Sequence, residues 1–257
     1  MSRLVGSVVH ALDEVDSTQT VLARLAGEGA PEGAVVTARH QTRGRGRHDR
    51  RWWDSPSDAV LLSVLLKPPI PVRSAPQLSL VAAVAVADAL EAAAAVDSRI
   101  RWPNDVLVSG RKICGILPDA MSVGPGRVGR IILGVGINVN QIAFPSDLQA
   151  DATSLRLVTG RPHDTSVLQS IVLDTLDRRY REWLDGGFGP LRGEWRRRSS
   201  TLGQRIRTAA GHEGVAVDLA DDGALLVEAG DGVIRRVVSG SPGAVSGAEE
   251  RGDAARH

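Results

Sequence analysis

Runs of apolar residues and their spacing divide the first 200 residues into alternating strands and helices. Residues 59–67 are almost continuously apolar, which is typical of a strand buried on both faces. Residues 165–183 carry leucine, valine and isoleucine at helical spacing, which indicates an amphipathic helix. The complete pattern predicts strands at 5–11, 33–40, 59–67, 99–102, 105–108, 112–120 and 128–139, and helices at 18–26, 76–96, 165–183 and 191–200.

The pattern changes after Leu202 to short alternating stretches that are separated by turns rich in glycine and aspartate. Strands are predicted at 205–209, 214–219, 224–228 and 233–238. Four or five strands in a segment of about 40 residues indicate a small barrel. Beyond residue 239 the chain is polar and its residues are small, so we expect disorder there. These observations predict a main domain at 1–200, a small β domain at 201–240 and a disordered tail at 241–257.

Length and composition favour a soluble globular protein. The 257 residues suffice for one large and one small domain, and 42% hydrophobic with 24% charged residues is ordinary for that class. The longest apolar stretch, 78–96, is broken by Asp88 and Glu91 and does not reach the ~20 residues that span a bilayer. The first 13 residues lack the features of a signal peptide. Cys114 is the only cysteine, which excludes an intrachain disulfide and cysteine-based zinc sites and favours a cytoplasmic location.

Positive charge is concentrated in one segment, although the formal net charge of the chain is only +1. Residues 39–51 contain six arginines and one aspartate. Gly44 and Gly46 allow the backbone to approach a ligand closely, and the guanidinium groups beside them suit carboxylates and phosphates. On its own, this segment fits a loop over a small anionic ligand as well as a solvated loop or a nucleic-acid patch.

A second motif, at 101–117 (RWPNDVLVSGRKICGIL), follows the first at 41–52 (QTRGRGRHDRRW). Together and in this order, they resemble the glycine–arginine loop and the tryptophan–proline–asparagine–aspartate hairpin of biotin protein ligases. The resemblance extends from about residue 12 to about residue 238. It implies an α+β fold in which helices pack on a mixed central sheet, as in class II aminoacyl-tRNA synthetases, followed by a small SH3-like β barrel.

The same resemblance implies an activity. A biotin protein ligase forms biotinyl-5′-AMP from biotin and MgATP, and then transfers biotin to a lysine of a biotin carboxyl carrier domain. Such a reaction brings the carboxylate of biotin next to the α-phosphate of ATP, so the site must neutralise two anions in a place poor in water. Substrates would be biotin and ATP with Mg²⁺, and the partner would be the carrier domain of acetyl-CoA carboxylase or a related carboxylase.

Site residues are carried over from the family by position. Four residues are expected to support the chemistry: Lys112, Arg45, Arg47 and Asp105. The expected biotin site comprises Ser17, Thr18, Gln19, Gln41, Arg45, Gly46, Arg47, Lys112, Gly115 and Leu117. The expected nucleotide site comprises Trp52, Asn104 and Asn138. Asp105 is expected either to coordinate Mg²⁺ or to orient the acceptor lysine. Arg43 and Asp49 depart from the family pattern, which leaves the closure of the loop open.

Other interpretations remain. Ser17 or Asp16 can be a simple helix cap. A lipoate or octanoate ligase or transferase is a related alternative, which the arginine loop disfavours. A third is a biotin-sensing DNA-binding repressor, but far too few residues precede the first predicted strand for a helix-turn-helix unit of roughly 60 residues. We therefore expect a monofunctional ligase that acts without DNA or membrane, and the sequence leaves the oligomeric state open.

Overall fold

A seven-stranded mixed sheet forms the centre of the protein, with strands in the order β1-β2-β3-β7-β6-β5-β4. The structure is a computed structural model that describes residues 3–48, 50–122, 126–207, 211, 213–238 and 243–244. The strands of this sheet are Val9–Val15 (β1), Val35–Gln41 (β2), Ala59–Leu66 (β3), Arg99–Arg101 (β4), Asp105–Val108 (β5), Arg111–Ser122 (β6) and Val128–Asn138 (β7). β1 pairs with β2 in parallel, and the other neighbours are antiparallel. This arrangement confirms the mixed sheet that the resemblance implies.

Helices cover both faces of the central sheet. They are Thr18–Gly27 (α1), Gln77–Ala94 (α2), Leu155–Thr159 (α3), Thr165–Gly186 (α4) and Gly189–Arg198 (α5), with a short 3-10 turn at Val72–Ser74. Leu22 of α1 packs against β2 and β3 on one face, while α2 and α4 belong to the large core on the other. All eight residues of β3 are buried as a result, which confirms the prediction from its continuous apolar run.

α2 is a core helix. The segment Val72–Ala94 is long and apolar enough to cross a membrane, but 72% of its most apolar window is buried inside the protein. Asp88 of this helix, whose side chain is only 9% exposed, accepts contacts from Arg179 at 2.7 Å, Arg198 at 2.9 Å and Arg178 at 3.0 Å. These ion pairs satisfy the carboxylate where α2, α4 and α5 meet, as a buried charge requires.

The C-terminal residues form a separate five-stranded antiparallel sheet in the order β11-β10-β9-β8-β12. Its strands are Arg205–Arg207 (β8), Glu213–Leu219 (β9), Leu225–Glu228 (β10), Ile234–Val237 (β11) and Gly243–Ala244 (β12). Arg192 of α5 joins this sheet to the main domain through Asp218 at 2.7 Å. The small C-terminal β domain that the sequence indicates is therefore present, while its limits at 201 and 240 stay a prediction.

Two elements of the main domain differ from the sequence-based predictions. β1 begins at Val9 instead of residue 5, because Val5 is buried and its backbone N–H, like that of Leu4, donates to Asp177 Oδ1 at 2.8 Å. α3 was not predicted from the sequence, because it has only five residues. Residues 243–244 of the predicted tail form β12, whose backbone pairing with β8 needs no side-chain pattern, and disorder of the tail as a whole stays a prediction. Residues 241–242 and 245–257 of that tail lie outside the described residues.

Candidate active site

A cavity of ≈ 340 Å³ opens between the start of α1, the arginine loop after β2, the β4–β5–β6 hairpins and β7. Every residue that the sequence analysis carried over from the family lines it. The set comprises Ser17, Thr18, Gln19, Gln41, Arg45, Gly46, Arg47, Trp52, Asn104, Asp105, Lys112, Gly115, Leu117 and Asn138. Residues up to 121 positions apart in the chain therefore share one cavity, as the sequence analysis expected, whereas their individual roles stay predictions.

Glycines form the floor of the cavity beneath Trp52. Gly115 of β6 lies opposite Gly136 of β7. A Cβ atom at Gly115 would lie 2.8 Å from the indole of Trp52, and one at Gly136 would lie 2.6 Å from it. The indole therefore fits only because both positions lack a side chain. The Trp52 Nε1 atom is buried and has no hydrogen-bond partner among the described residues. The predicted stacking of Trp52 near adenine stays a prediction.

One end of the cavity is neutral and polar. Ser17 caps α1, since its Oγ accepts from the Gln19 N–H at 3.3 Å. The N–H of Thr18, which lies between these two residues, donates to Gln41 Oε1 at 2.9 Å. Because a backbone N–H can only donate, this contact assigns Oε1 to the helix side and leaves the Nε2 donor of Gln41 on the cavity side. Ser17 therefore caps α1 and also lines the cavity, so the cap is confirmed while the biotin-binding role of this segment stays a prediction.

Ser63 extends this network and was missed by the sequence analysis. It is fully buried in β3, and its Oγ lies 2.8 Å from Thr18 Oγ1, which lies 3.2 Å from Gln41 Oε1. The hydroxyls can therefore donate in sequence from Ser63 to Thr18 to Gln41. A lone polar residue inside an apolar strand is the signal that identifies Ser63, because a buried hydroxyl needs a partner.

The opposite end of the cavity is charged. Asp105, at the start of β5, lies between Lys112 Nζ at 2.6 Å and Arg101 Nη2 at 2.8 Å. Arg47 Nη1 donates to Asn104 Oδ1 at 3.2 Å, and Asn104 Nδ2 donates to the Ile116 carbonyl at 2.8 Å. The β5–β6 hairpin thus holds three cations around one carboxylate and one amide.

Burial lowers the pKa of the Arg47 guanidinium; the negative charge of Asp105 opposes this shift and Arg50 adds to it. Arg47 nevertheless stays charged, since a guanidinium does not lose its proton in proteins. Arg45 is half-exposed and lies 3.3 Å from Asp119 of β6. The two arginines of the motif therefore differ: Arg47 points to the hairpin and Arg45 to the surface of the sheet.

The arginine loop is held by its own backbone. Gly46 N–H donates to the Arg50 carbonyl at 2.7 Å, and Trp52 N–H donates to the Gly44 carbonyl at 2.9 Å. At its base, His40 Nδ1 lies 2.8 Å from Asp54 Oδ2. Asp49, one of the two departures from the family pattern, lies outside the described residues. The loop forms a wall of the cavity close to Lys112 and Asn104.

A further wall, at 140–154, was missed by the sequence analysis. The Lys112 N–H donates to the Asp151 carbonyl at 2.7 Å, and the Thr153 N–H donates to the Lys112 carbonyl at 2.9 Å. Phe144 packs edge-on against Trp53, with ring centroids 5.7 Å apart. No hydrophobic period marks this irregular segment. Phe144, an isolated aromatic in a polar stretch, was the available signal.

Cys114 lies beside the site but is fully buried. Burial raises the pKa of its thiol, and the charge of Lys112 only partly opposes this effect. The thiol is therefore protonated at neutral pH and is not a nucleophile here. Within the described residues, no group of three or more His, Cys, Asp or Glu side chains could hold a metal ion.

Comparisons with known proteins agree with this geometry. Residues 11–138 match the model of the biotin/lipoate A/B protein ligase family, and residues 201–241 match the biotin protein ligase C-terminal domain. The chain is 35% identical to the biotin–[acetyl-CoA-carboxylase] ligase of Mycobacterium tuberculosis, covering 88% of this chain and 86% of that protein. It is 41% identical to the bifunctional ligase/repressor BirA of Bacillus spizizenii, covering 90% of this chain and 73% of that protein.

A solved structure shares the fold. The biotin protein ligase from Aquifex aeolicus in complex with biotin and ATP superposes with a TM-score of 0.80 at 28% sequence identity. The match covers 92% of this chain and 98% of that one. The chain therefore belongs to the biotin protein ligases of the biotin/lipoate A/B protein ligase family.

Proposed function

We propose that this protein activates biotin with MgATP and transfers it to a lysine of a biotin carboxyl carrier domain. One observation carries the proposal: a single cavity has an uncharged amide donor, Gln41 Nε2, at one end and the cations Lys112 and Arg47 at the other. Biotin has the same polarity, with a neutral ureido ring at one end and a carboxylate at the other.

In the first step, a carboxylate oxygen of biotin forms a bond to the α-phosphorus of ATP. The bond from that phosphorus to the bridging oxygen breaks, and pyrophosphate leaves with the electron pair. In this proposal, Lys112 neutralises the attacking carboxylate, and Arg47 retains the phosphate of the adenylate and orders the loop. Charges that are fixed before the reaction stabilise its transition state without reorganisation.

Asp105 orients Lys112 in this proposal. Its carboxylate touches both Lys112 and Arg101, which fixes the ammonium at one point of the cavity. Mg²⁺ would be held mainly by the phosphates of ATP, since protein-bound Mg²⁺ often uses one or two carboxylates together with substrate phosphates. Asp105 would be the carboxylate for that contact if it exchanged Lys112 or Arg101 for the metal, which would supply charge neutralisation at the phosphates.

In the second step, the ε-amine of the acceptor lysine attacks the acyl carbon of biotinyl-5′-AMP. The amide bond forms, the acyl–oxygen bond breaks, AMP leaves and the amine loses a proton. The wall formed by the arginine loop restricts the access of water to the mixed anhydride in the meantime.

The lipoate alternative is disfavoured by the neutral end of the cavity. A ligand that fills this end of the cavity covers the Nε2 donor of Gln41, and a donor that is covered without an acceptor costs free energy. The ureido carbonyl of biotin provides this acceptor, whereas the dithiolane ring of lipoate has only weakly accepting sulfur atoms. The same chemistry applies to octanoate, whose alkyl tail has no acceptor.

We also propose that the protein acts in the cytoplasm and does not regulate DNA. A buried free cysteine suits a reducing compartment. Within the described residues, α1, α2, α4 and α5 each contact strands of the central sheet, so none of these four belongs to a separate helix-turn-helix unit. Biotin-dependent binding to DNA in a mobility-shift assay would contradict this part of the proposal.

The test combines purified protein, MgATP and labelled biotin with and without a carboxyl carrier domain. We expect biotin-dependent release of pyrophosphate, a biotinyl-adenylate, and label on the carrier domain. A carrier domain whose target lysine is replaced by arginine is the matched control and should stay unlabelled. Equal rates with lipoate would favour the alternative ligase, and no release with either acid would refute both.

A further inference from the structure

Trp102 touches the active-site cavity and the C-terminal domain at the same time. Its side chain lines the cavity and is 3% exposed. The indole Nε1 of Trp102 donates to the Gly223 carbonyl at 3.1 Å, and the backbone N–H of Trp102 donates to Thr201 Oγ1 at 2.9 Å. Both acceptors belong to the segment that matches the biotin protein ligase C-terminal domain.

The residues beside Trp102 hold the charged end of the cavity. Arg101 contacts Asp105, and Asn104 accepts from Arg47. Only residues 102–104 join β4 to β5, so a shift of Trp102 moves both of its neighbours. Asp105 contacts Lys112 directly, and the position of that ammonium therefore depends on the same short link.

The turn around Gly223, whose carbonyl accepts the hydrogen bond from Trp102, is fixed in its place. The Asp221 carbonyl accepts from Gln77 Nε2 at 2.7 Å, and its carboxylate lies 3.2 Å from Arg192. Gly223 has φ +87°, and a Cβ there would lie 3.0 Å from Leu80 of α2. A turn that is anchored on α2 and α5 presents the Gly223 carbonyl as a rigid acceptor.

We propose that Trp102 is a positioning residue for the adenylation step, through which the C-terminal domain sets the placement of Asp105, Lys112 and Arg47. The inference rests on the proposed function. It assigns the C-terminal domain an effect on the rate of the first step and none on biotin affinity. The neutral end of the cavity is built from α1, β2 and β3, which Trp102 does not join.

Two sets of variants test this proposal. Trp102→Phe removes the N–H donor together with part of the ring volume, and Thr201→Val removes the hydroxyl acceptor while keeping the shape. Thr201→Ser restores that acceptor. The matched control is Trp195→Phe, because Trp195 is equally buried and its Nε1 has no hydrogen-bond partner among the described residues.

We expect Trp102→Phe and Thr201→Val to lower kcat for biotin-dependent pyrophosphate release about tenfold, because small displacements of catalytic groups cost that much or more. KM for biotin should stay within about twofold of the wild-type value, because these variants remove no hydrogen bond to biotin. Thr201→Ser should regain most of the rate, and Trp195→Phe should match the wild type. Thr201 variants alone decide the question if Trp102→Phe does not fold.

Wild-type kcat in both Thr201→Val and Trp102→Phe would overturn the inference, even if their melting temperatures fall. A parallel rise of KM for biotin would also overturn it, since that pattern indicates general disruption. A wild-type protein that releases no pyrophosphate would instead refute the proposed function, which keeps the two failures apart.

Discussion

The two ends of the active-site cavity are held in different ways. At the neutral end, Thr18, Gln41 and Ser63 are buried on regular elements and are joined by uncharged hydrogen bonds. At the charged end, the side chain of Lys112 is 31% exposed and that of Arg45 is 50% exposed, and their contacts are ion pairs with Asp105 and Asp119.

This difference separates binding from catalysis. A neutral network can be completed inside the fold, so it can recognise a head group without rearrangement. Cations at a half-exposed site are held by carboxylates of the protein and remain accessible to anionic substrates. Damage to the neutral end should therefore appear in KM for biotin, and damage to the charged end in kcat. Each of the following variants tests one side of that division.

The largest effect is expected for Lys112→Ala. The change removes the ammonium next to Asp105 without opening the core, and loss of one preorganised charge costs about 10²–10³-fold in rate. Biotinyl-adenylate formation should fall by that factor, measured by pyrophosphate release. Lys112→Arg should also be poor, because a guanidinium fork cannot occupy the same point. The other lysine provides the control: Lys67 donates to the Ala30 carbonyl outside the cavity, so Lys67→Ala should be fully active. A wild-type rate in Lys112→Ala would remove the basis of the assignment.

Gln41→Glu should come next and should act on binding. The carboxylate can still accept from Thr18 N–H, but it cannot donate to a ligand as Nε2 does. Loss of a buried hydrogen bond is worth about 1–3 kcal/mol, so KM for biotin should rise roughly tenfold to hundredfold. Steady-state kinetics should show an unchanged KM for ATP. Gln204→Glu, which adds the same charge at an exposed position, is the control. A kcat effect without a change in KM would reverse the proposed division.

Arg47→Gly should loosen the loop more than it slows the chemistry. The variant loses the contact to Asn104 and gains backbone freedom. We expect the adenylate to dissociate about tenfold faster, as the loss of a charged hydrogen bond costs about 1.5–3 kcal/mol. Bystander lysines should then be labelled without a carrier domain. Arg43→Gly changes an exposed arginine of the same loop and should behave as the wild type. An unchanged dissociation rate in Arg47→Gly would contradict this role.

Asp119→Asn should have the smallest effect. Both partners of the Arg45–Asp119 pair are about half-exposed, and exposed ion pairs contribute about 0–1 kcal/mol. Adenylation and transfer rates should stay within about twofold of the wild type under saturating substrates. A tenfold loss would show that Arg45 depends on Asp119 for its position, and that the surface pair belongs to the catalytic end.

The sequence predicted the cavity well where a residue type has one chemical use. The arginine–glycine loop and the hairpin around Lys112 were assigned to the site because together they resemble the two motifs of biotin protein ligases, whereas the charges of the loop alone left its role open. Ser63 and the wall at 140–154 were missed for different reasons. Ser63 acts through a partner 45 positions away, which no local pattern records. The wall depends on backbone hydrogen bonds that the Asp151 carbonyl accepts from Lys112 and that the Thr153 N–H donates to Lys112, and these need no particular side chain.

The fold shows the same limit. Long apolar runs predicted β3 and β7, because a strand buried on both faces leaves a continuous signal. The predicted start of β1 was wrong because neither the strand nor the segment before it contains a long apolar run. Val5 is apolar and buried, yet its backbone serves Asp177 instead of a neighbouring strand. Burial could be predicted there, while the hydrogen-bond partner could not.

The buried state of Cys114 makes the wild-type chain a convenient template for spectroscopy. Since its only thiol is inaccessible and protonated, maleimide reagents should leave the native protein unlabelled. A cysteine introduced at Arg43 would then be the sole reactive thiol in the protein. A fluorophore or spin label attached there would report the motion of the arginine loop during a single turnover, with the native cysteine left in place.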